Sequence, residues 1–268
     1  MPASAIAHGL RRVGAGTRRA VSRLGFAARF AFAVLTHSPE GIRRLRLTLR
    51  EIYFSGVLSL VVIMVSGLFV GMVLGLQGYD VLNRYGSGDS LGTFVGLSLV
   101  RELGPVVAGL LFASRAGSAV TAEIGLMKTT EQLSAMEMMA VDPLARIVAP
   151  RFWGGVISMP LLAALFSVMG VFGAYIVGVR LIGVDNGTFW GNMQAGIEFW
   201  PDITNGIVKS VVFGVAVSLI AVFEGYDAKP TAEGVSAATT RTVVGGSLAI
   251  LALDFILTVF MFRGLGNG

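Results

Sequence analysis

The stretch LGTFVGLSLVRELGPVVAGLLFA, residues 91–113, decides the fold class of this chain. It is apolar apart from two adjacent charged residues near its middle, Arg101 and Glu102, and a proline, Pro105. A helix of about 20 apolar residues is long enough to cross the hydrocarbon core of a bilayer. The stretch therefore predicts a membrane-spanning helix that carries two charges at depth.

The composition of the whole chain agrees with a membrane protein. Of its 268 residues, 54% are hydrophobic and only 14% are charged, whereas about 25% of an average soluble protein is charged. Four more apolar runs hold about 20 residues or more each. We predict an all-α integral membrane protein with five spans, at residues 54–76, 91–113, 152–178, 203–223 and 242–262.

The positive charges predict the orientation. Ten of the 18 arginines precede residue 51, and a cytoplasmic N-terminus places 16 of the 21 lysines and arginines on the cytoplasmic side and four outside. Loops rich in positive charge stay in the cytoplasm. The C-terminus is then outside, and segments 114–151 and 224–241 are cytoplasmic. Because the basic residues flank membrane spans, we read them as contacts to lipid headgroups and not to nucleic acid.

The chain divides into a basic N-terminal segment (1–53), a membrane domain (54–262) and a short outer tail (263–268). In the first segment, Phe26, Phe30 and Val34 recur at helical spacing, while Arg23 and Arg29 lie off that stripe. This pattern favours a helix lying in the inner membrane interface over a signal peptide.

Two patterns in the first span predict contacts. Gly67, Gly71 and Gly75 lie four residues apart, so they share one helix face and allow another helix to approach closely, in the same chain or in a second copy. Beyond them, a second stripe continues if the helix persists past the apolar run. This stripe either packs on protein or lines a sheltered apolar cavity, and it consists of Leu74, Val81, Leu82 and Tyr85.

The charges within the spans are the strongest functional signal. A charged residue at the centre of a span costs about 2.5–3.5 kcal/mol and normally faces the bundle interior or a wet cavity. Arg101 and Glu102 point about 100° apart on a helix, so they do not simply neutralise each other. Pro105 removes the hydrogen bond to the carbonyl of Arg101 and predicts a kink there. An interior ion pair that only fixes packing is the alternative. Asp254 fits either role, and we expect Lys209 to extend outward to the membrane surface.

Signals for enzyme chemistry are absent from the sequence. There is no cysteine, both histidines lie near the N-terminus, and no phosphate-binding G-x-x-x-x-G-K-[ST] motif occurs. We therefore predict no catalytic residue, metal site or cofactor. If transport by this chain uses ATP, another chain must hydrolyse it.

The long segment 114–151 contains the stretch TTEQLSAMEMMAVDP, residues 129–143. We predict a short helix capped by Thr129 or Thr130 and ended by Pro143. Its apolar edge and its acidic side are formed by Leu133, Met136 and Met139 and by Glu131 and Glu137. Such a helix either docks into a groove of another protein or packs on its own bundle.

Three stretches together resemble the MlaE-type permease family, the membrane subunits of lipid-handling ABC transporters that work with MCE proteins. They are GMVLGLQGY (71–79), RELGPVVAGLLFASRAGSAVTAEIGLMKTTEQLSAMEMMAVDPLARIVAPRFW (101–153) and GYDAKPTAEGVSAATTRTVV (225–244). The resemblance runs from about Tyr53 to Phe262. It implies a homodimer in the bacterial inner membrane, each copy with an N-terminal interfacial helix and five spans.

The resemblance also implies a function and partners. A phospholipid would bind between the two copies, near the outer end of their interface, and move between the inner membrane and an MCE conduit to the outer membrane, maintaining outer-membrane lipid asymmetry. The lipid-contacting residues implied are Leu74, Val81, Leu82, Tyr85, Arg101 and Glu102. A cytoplasmic ATPase would dock on the segment from Glu131 to Met139. A hexameric MCE protein outside and a STAS-domain protein on the ATPase complete the expected assembly.

Two other functions stay open from the residues alone. One is a proton-coupled secondary transporter that uses Glu102 or Asp254 as its proton site, although the chain shows no internal inverted repeat of the kind usual in such proteins. The other is a membrane scaffold whose charges only fix assembly. A co-purifying ATPase would separate both from the transporter subunit.

Overall fold

A computed structural model of the chain describes Arg18, Ser22 and residues 25–36 and 45–265, and within these ranges the chain is helical without any strand. The α-helices are α1 (Gly25–Thr36), α2 (Leu45–Ser55), α3 (Leu60–Arg84), α4 (Leu91–Leu97), α5 (Gly104–Phe112), α6 (Ser118–Thr129), α7 (Gln132–Met138), α8 (Ala149–Tyr175), α9 (Asn186–Gly196), α10 (Thr204–Asp227) and α11 (Ala232–Leu265). Wider π-helical turns join or extend several of them, at Ser98–Leu103, Ala113–Gly117, Leu144–Val148, Ile176–Ile182 and Phe199–Ile203. Two short 3₁₀ turns, Val57–Ser59 and Gly88–Ser90, precede α3 and α4.

Among the described residues, five helical segments are long and apolar enough to span a membrane, as predicted. They are Arg46–Arg84, Gly88–Thr129, Leu144–Ile182, Phe199–Asp227 and Ala232–Met261, and the shorter apolar helix α1 precedes them. The predicted all-α membrane fold with five spans is thus confirmed. Each helical segment extends beyond its predicted apolar window, because hydropathy marks only the part that lies in lipid.

The second span continues much further than the sequence suggested. The π-helical turn Ala113–Gly117 joins α5 to α6, so the helical path runs to Thr129. Arg115 is tolerated there because its Nη1 donates to the carbonyl of Phe54 and to the hydroxyl of Ser59, both at 3.0 Å. The long segment 114–151, for which the sequence predicted one short helix, therefore begins with a helix that continues the second span. The connection between the second and third spans is mostly α6 and α7.

The glycines of the first span pack against the third span of the same chain. A Cβ added to Gly67 would lie 2.7 Å from the carbonyl oxygen of Phe166, and one on Gly75 would lie 3.0 Å from the Cα of Ala174. At Gly71, a Cβ would overlap the backbone of Gly170. Helices α3 and α8 thus approach backbone to backbone, which only small residues permit.

Helix α1 packs on the bundle through its predicted stripe. Phe30 and Val34 are buried, and the Phe30 ring lies 5.7 Å from that of Phe223 and 5.4 Å from that of Tyr226. The apolar side chain of Phe32 is 70% exposed instead. The predicted stripe is therefore the face by which α1 packs on the bundle, because the fourth span provides an aromatic surface for it. Arg23, residues 1–17 and the tail 266–268 lie outside the described residues.

The bundle has two ends, which we name by what they carry. The loop end carries α7 and the connection between α10 and α11. The opposite end carries α9, whose first turn is capped by Asp185: its carboxylate accepts from the backbone N–H of Thr188 at 2.8 Å. Between the two ends, a core formed by several spans includes Ile63, Leu99 and Phe166, all buried.

Candidate functional site

The two charges of the second span lie in a widened helical turn. Ser98–Leu103 is π-helical, directly before Pro105, which is buried at the start of α5. A proline cannot donate to the carbonyl four residues earlier, and a π-helical turn is one way for a helix to accommodate that loss. The hydroxyl of Ser167 in the third span donates to the carbonyl of Leu99 at 3.3 Å. The predicted kink thus takes the form of a local change in helical pitch.

Arg101 forms an ion pair with Asp202, at the start of the fourth span. Its Nε and Nη2 lie 2.6 Å and 2.5 Å from the same carboxylate oxygen, Oδ1. The other oxygen of Asp202 accepts from the backbone N–H of Glu198 at 2.8 Å. The Asp202 side chain is 3% exposed and that of Arg101 is 26% exposed. A charge-assisted, nearly buried pair of this kind holds the second and fourth spans in register.

Glu102 points to a different partner, as the 100° separation of neighbours on a helix predicts. Its Oε2 lies 2.5 Å from Nζ of Lys209, which also contacts Oδ1 of Asp254 at 3.0 Å and the hydroxyl of Thr258 at 2.7 Å. The second, fourth and fifth spans therefore meet at one ammonium group. We call Glu102, Lys209, Asp254 and Thr258 the lysine cluster.

The prediction that Lys209 extends outward to the membrane surface was wrong. Its side chain is only 2% exposed. An ammonium has three N–H donors, and the two carboxylates and the hydroxyl of the lysine cluster accept all three. Because these acceptors lie on neighbouring spans, Lys209 gains more from the bundle interior than from the distant membrane surface.

The lysine cluster has an open side. The side chains of Glu102 and Asp254 remain 38% and 24% exposed. Two carboxylates face one ammonium, so the ionised cluster carries one excess negative charge. Carboxylates that are partly exposed at membrane depth are expected to border a wet cavity or a partner surface.

The cluster lies nearer to the opposite end than to the loop end. Arg101 is 13 residues along the helix from Gly88, or about 20 Å at 1.5 Å per residue. Asp202 lies three residues from the start of the fourth helical segment at Phe199. The charges thus occupy the half of the bundle next to α9.

The predicted apolar stripe on the first span is split by the structure. Helix α3 does persist to Arg84, but Leu74 and Leu82 are half-buried against the core, whereas Val81 is 54% and Tyr85 is 81% exposed. A surface cavity of about 680 Å³ lies between this part of α3 and Ile182 of the third span. Val81 lines it together with two side chains absent from the predicted set, Gln77 and Tyr79.

At the loop end, the residues in and beside α7 that were predicted to contact an ATPase differ in their exposure. Leu133 is buried and Met136 is half-buried, while Glu131, Glu137 and Met139 are exposed. Met138, which the sequence pattern left out, is the most exposed of the large apolar side chains here, at 84%. The apolar edge therefore packs inward through Leu133, and the surface offered to a partner lies around Met138 and Met139.

The predicted N-cap of this helix was wrong. The hydroxyls of Thr129 and Thr130 donate backward, to the carbonyls of Gly125 and Leu126, each at 2.9 Å. They belong to the last turn of α6, which the sequence had not predicted to reach so far. Glu131 separates the two helices with a left-handed backbone, at a φ of 59°.

Comparison with known proteins places the chain in a family. A family model described as "Permease MlaE" matches residues 48–260. The chain belongs to the MlaE permease family. The match begins in α2 and ends within α11, so it includes both charged groups and the loop-end helix α7.

Two relatives from bacteria and one from a plant illustrate the range of the MlaE permease family. The chain is 57% identical over 244 residues to the Haemophilus influenzae "Intermembrane phospholipid transport system permease protein MlaE", covering 91% of this chain and 92% of that protein. It is 36% identical to a probable ABC transporter permease protein of Rickettsia typhi, over 94% of this chain and 96% of the relative. It is 30% identical to the chloroplastic protein TRIGALACTOSYLDIACYLGLYCEROL 1 of Arabidopsis thaliana, over 83% of this chain and 63% of that protein.

In this MlaE permease, sequence reasoning missed the partners of the two charges. Asp202 stood at the edge of the predicted fourth window, and Lys209 was assigned to the membrane surface. A signal was available: Lys209 lies inside an apolar run, where a cation calls for an opposite charge on another span. Glu102 and Asp254 were the candidate acids.

Proposed function

We propose that the chain is the permease subunit of an ABC transporter that moves phospholipid between the bacterial inner membrane and an MCE-protein conduit to the outer membrane. This movement maintains the lipid asymmetry of the outer membrane, and a partner chain hydrolyses the ATP. Membership of the MlaE permease family and similarity to the Haemophilus influenzae intermembrane phospholipid transport permease support this proposal. The observation that carries it is the partly exposed lysine cluster inside an otherwise apolar bundle.

The exposure of the cluster supports a homodimer with the lipid between its copies. In a single chain, Glu102 and Asp254 face outward at membrane depth. Lipid tails do not solvate carboxylates, whereas a second copy enclosing a water-filled cavity does. The apolar side chains Leu251 and Phe255 next to Asp254 are 52% and 71% exposed, and they offer surface for that copy or for acyl chains.

Arg101 and Glu102 then have different tasks. Arg101 is engaged with Asp202, and this neutral pair attracts a phosphate less than a lone guanidinium would. Glu102 holds the neighbouring ammonium of Lys209, and its partial exposure leaves it at the cavity wall. Val81 and Tyr85 supply exposed apolar surface at the opposite end, on the side where the MCE hexamer is proposed to sit.

Helix α7 is the proposed docking site of the ATPase, with a STAS-domain protein bound to that ATPase. The positive-inside bias of the sequence supports a cytoplasmic loop end and N-terminus, with the C-terminus in the periplasm. Exposed methionines adapt well to a groove in a partner. The segment Glu131–Met139 offers two of them, Met138 and Met139, next to the acidic Glu137.

The first test is mild purification of the tagged chain with its native partners, followed by mass spectrometry of bound proteins and lipids. We expect an ATPase, an MCE protein and a stoichiometric phospholipid. Glu102→Gln should lower the lipid content several-fold while the dimer persists, because Asp254 still holds Lys209. The control is Glu233→Gln, at an exposed residue of α11 outside the cluster.

Each alternative function has its own outcome in this experiment. A lone chain without lipid, whose transport follows a proton gradient, would mean that Glu102 or Asp254 carries protons. Loss of the assembly with unchanged lipid in the remaining dimer would indicate a scaffold. Either result contradicts the proposal.

The docking site is tested with Met139→Ala and Leu181→Ala. Both residues are exposed, at 67% and 75%, but Leu181 lies at the opposite end. We expect Met139→Ala to weaken ATPase binding by about tenfold, the factor that corresponds to about 1.4 kcal/mol, the scale of a well-packed contact residue. Equal ATPase recovery with both variants would exclude α7 as the docking helix.

A further inference from the structure

A second polar site lies at the loop end, remote from the lysine cluster. A cavity of about 470 Å³ is enclosed by α2, the end of α6, α7 and the start of the third span. Five of its lining side chains are charged: Arg50, Glu51, Glu123, Arg146 and Arg151. The proposed transport path does not use this cavity. Gln132 and Met136 of α7 line it, whereas the exposed methionines of the docking segment, Met138 and Met139, do not.

Arg151 is the most deeply buried of these charges. Its side chain is 8% exposed, and its Nη2 donates to Oε2 of Glu123 at 3.0 Å. Its Nε lies 3.8 Å from Oε2 of Glu51 and has no hydrogen-bond partner among the described residues. A buried charged N–H without an acceptor is costly, so such a group indicates a missing partner.

The charge balance of the cavity favours an anion. Three arginines and two glutamates leave one excess positive charge. Arg50 and Arg146 are exposed at the rim, where a ligand can reach them. The planar fork of a guanidinium matches the oxygens of a phosphate better than any other side chain does.

The position of the cavity favours a phosphate that carries acyl chains. Phe54 and Leu126, which line the cavity, are 41% and 59% exposed. Phe54 is followed directly by the apolar run of the first span, so the cavity lies where polar and apolar surfaces meet. This is the depth at which headgroup phosphates lie and basic residues contact them.

We propose that this cavity binds the phosphate of an anionic phospholipid from the leaflet at the loop end. Arg151 supplies the buried donor, and Arg50 and Arg146 close over the headgroup from the rim. The bound lipid would touch Met136, which lines the same cavity from α7. The proposal requires only that the chain lies in a membrane, and it holds whether or not the lysine cluster carries lipid.

The test measures the affinity of the detergent-purified assembly for a fluorescent short-chain phosphatidylglycerol, in a Glu102→Gln background that weakens the proposed transport site. We expect Arg50→Gln combined with Arg146→Gln to weaken binding by at least about tenfold, because each arginine makes a charge-assisted contact. The matched control is Arg180→Gln, an exposed arginine at the opposite end. Both rim residues are exposed, so these variants should fold.

A second variant tests the sign of the electrostatic effect. Glu51→Gln removes one of the two negative charges facing the ligand, so it should strengthen binding of the labelled lipid. A residue that only maintains the local structure would weaken binding or leave it unchanged. Binding should also weaken with rising salt, because part of the attraction involves exposed charges.

Several results would overturn the proposal. One is equal affinity of the rim variant and the Arg180→Gln control for the lipid. Another is inorganic phosphate competing as tightly as the lipid, since the site would then take a soluble phosphate. If the rim variant keeps its lipid affinity but loses the ATPase, the cavity is a contact for that protein. Failure of Glu102→Gln to lower lipid carriage affects only the proposed transport site.

Discussion

Replacing Lys209 by methionine tests whether the lysine cluster holds the bundle together. Methionine keeps most of the length of the side chain but removes the ammonium that Glu102 and Asp254 share. Removing one partner of a buried ion pair typically costs about 3–5 kcal/mol, because the remaining charge is left without compensation. Partial exposure of both carboxylates places the expected loss at the lower end of that range.

The expected loss in the free energy of unfolding can be measured as a fall in melting temperature. For a domain of 150–250 residues, 1 kcal/mol corresponds to about 2–4 °C, so a loss of about 3 kcal/mol predicts a fall of about 6–12 °C. The assay is thermal unfolding in detergent micelles, followed by tryptophan fluorescence. Lys229→Met is the matched control, because Lys229 is exposed at the loop end.

A rescue variant separates the charge effect from the loss of packing. Combining Lys209→Met with Glu102→Gln and Asp254→Asn leaves no unpaired charge, and we expect it to recover most of the lost stability. The reasoning is refuted if Lys209→Met melts within 2 °C of the Lys229→Met control. It is also refuted if the neutral triple variant is no more stable than Lys209→Met alone.

Two further predictions concern packing and capping. Gly71→Ala should lower the melting temperature by about 2–12 °C, because overpacking costs about 1–3 kcal/mol. The control, Gly191→Ala, should not lower it, because a Cβ at Gly191 meets nothing within 4 Å. Equal melting temperatures of the two variants would contradict the close approach of α3 and α8. Hydrogen bonds from Thr188 hold the pKa of Asp185 below its ordinary value of 3.8, so the cap of α9 should be intact above that pH and lost as the pH falls through the lower, folded-state pKa. Protection of the first-turn amides of α9 from hydrogen exchange, relative to their intrinsic rate at each pH, should fall over that range and should be low at every pH in Asp185→Ala. Protection that does not change with pH would refute the role of the carboxylate.

The sequence predicted the spans well because their signal is local. Any run of about 20 apolar residues must cross the bilayer as a helix, whatever its neighbours are. The divergence of Arg101 and Glu102 is likewise a property of one helix, and the structure pairs them with different spans. Extension of the second span through α6 was not predictable from hydropathy, because polar residues such as Arg115 find partners on another helix.

The partners of the charges depended on tertiary contacts that no single window contains. Glu102 and Lys209 are 107 positions apart in the chain, and Arg101 and Asp202 are 101 apart. From its own span alone, a lysine in an apolar run can lower its energy in two ways. Its side chain can extend to the membrane surface, or it can pair with an acidic residue on another span. Only the packing of the second, fourth and fifth spans selects the second.

The two charge groups of the second span differ in a way that bears on transport. The Arg101–Asp202 pair is neutral, with an almost fully buried carboxylate that also accepts a backbone N–H, so moving it would break several bonds at once. The lysine cluster is open on one side and holds one carboxylate more than it has cations. Lys209 can therefore shift its contacts between Glu102 and Asp254. During such a shift, the three spans stay packed together and the ammonium stays close to both carboxylates. The Arg101–Asp202 pair thus fixes the fourth span to the second. The lysine cluster is an adjustable contact that also includes the fifth span, and it is the one that faces the proposed lipid cavity.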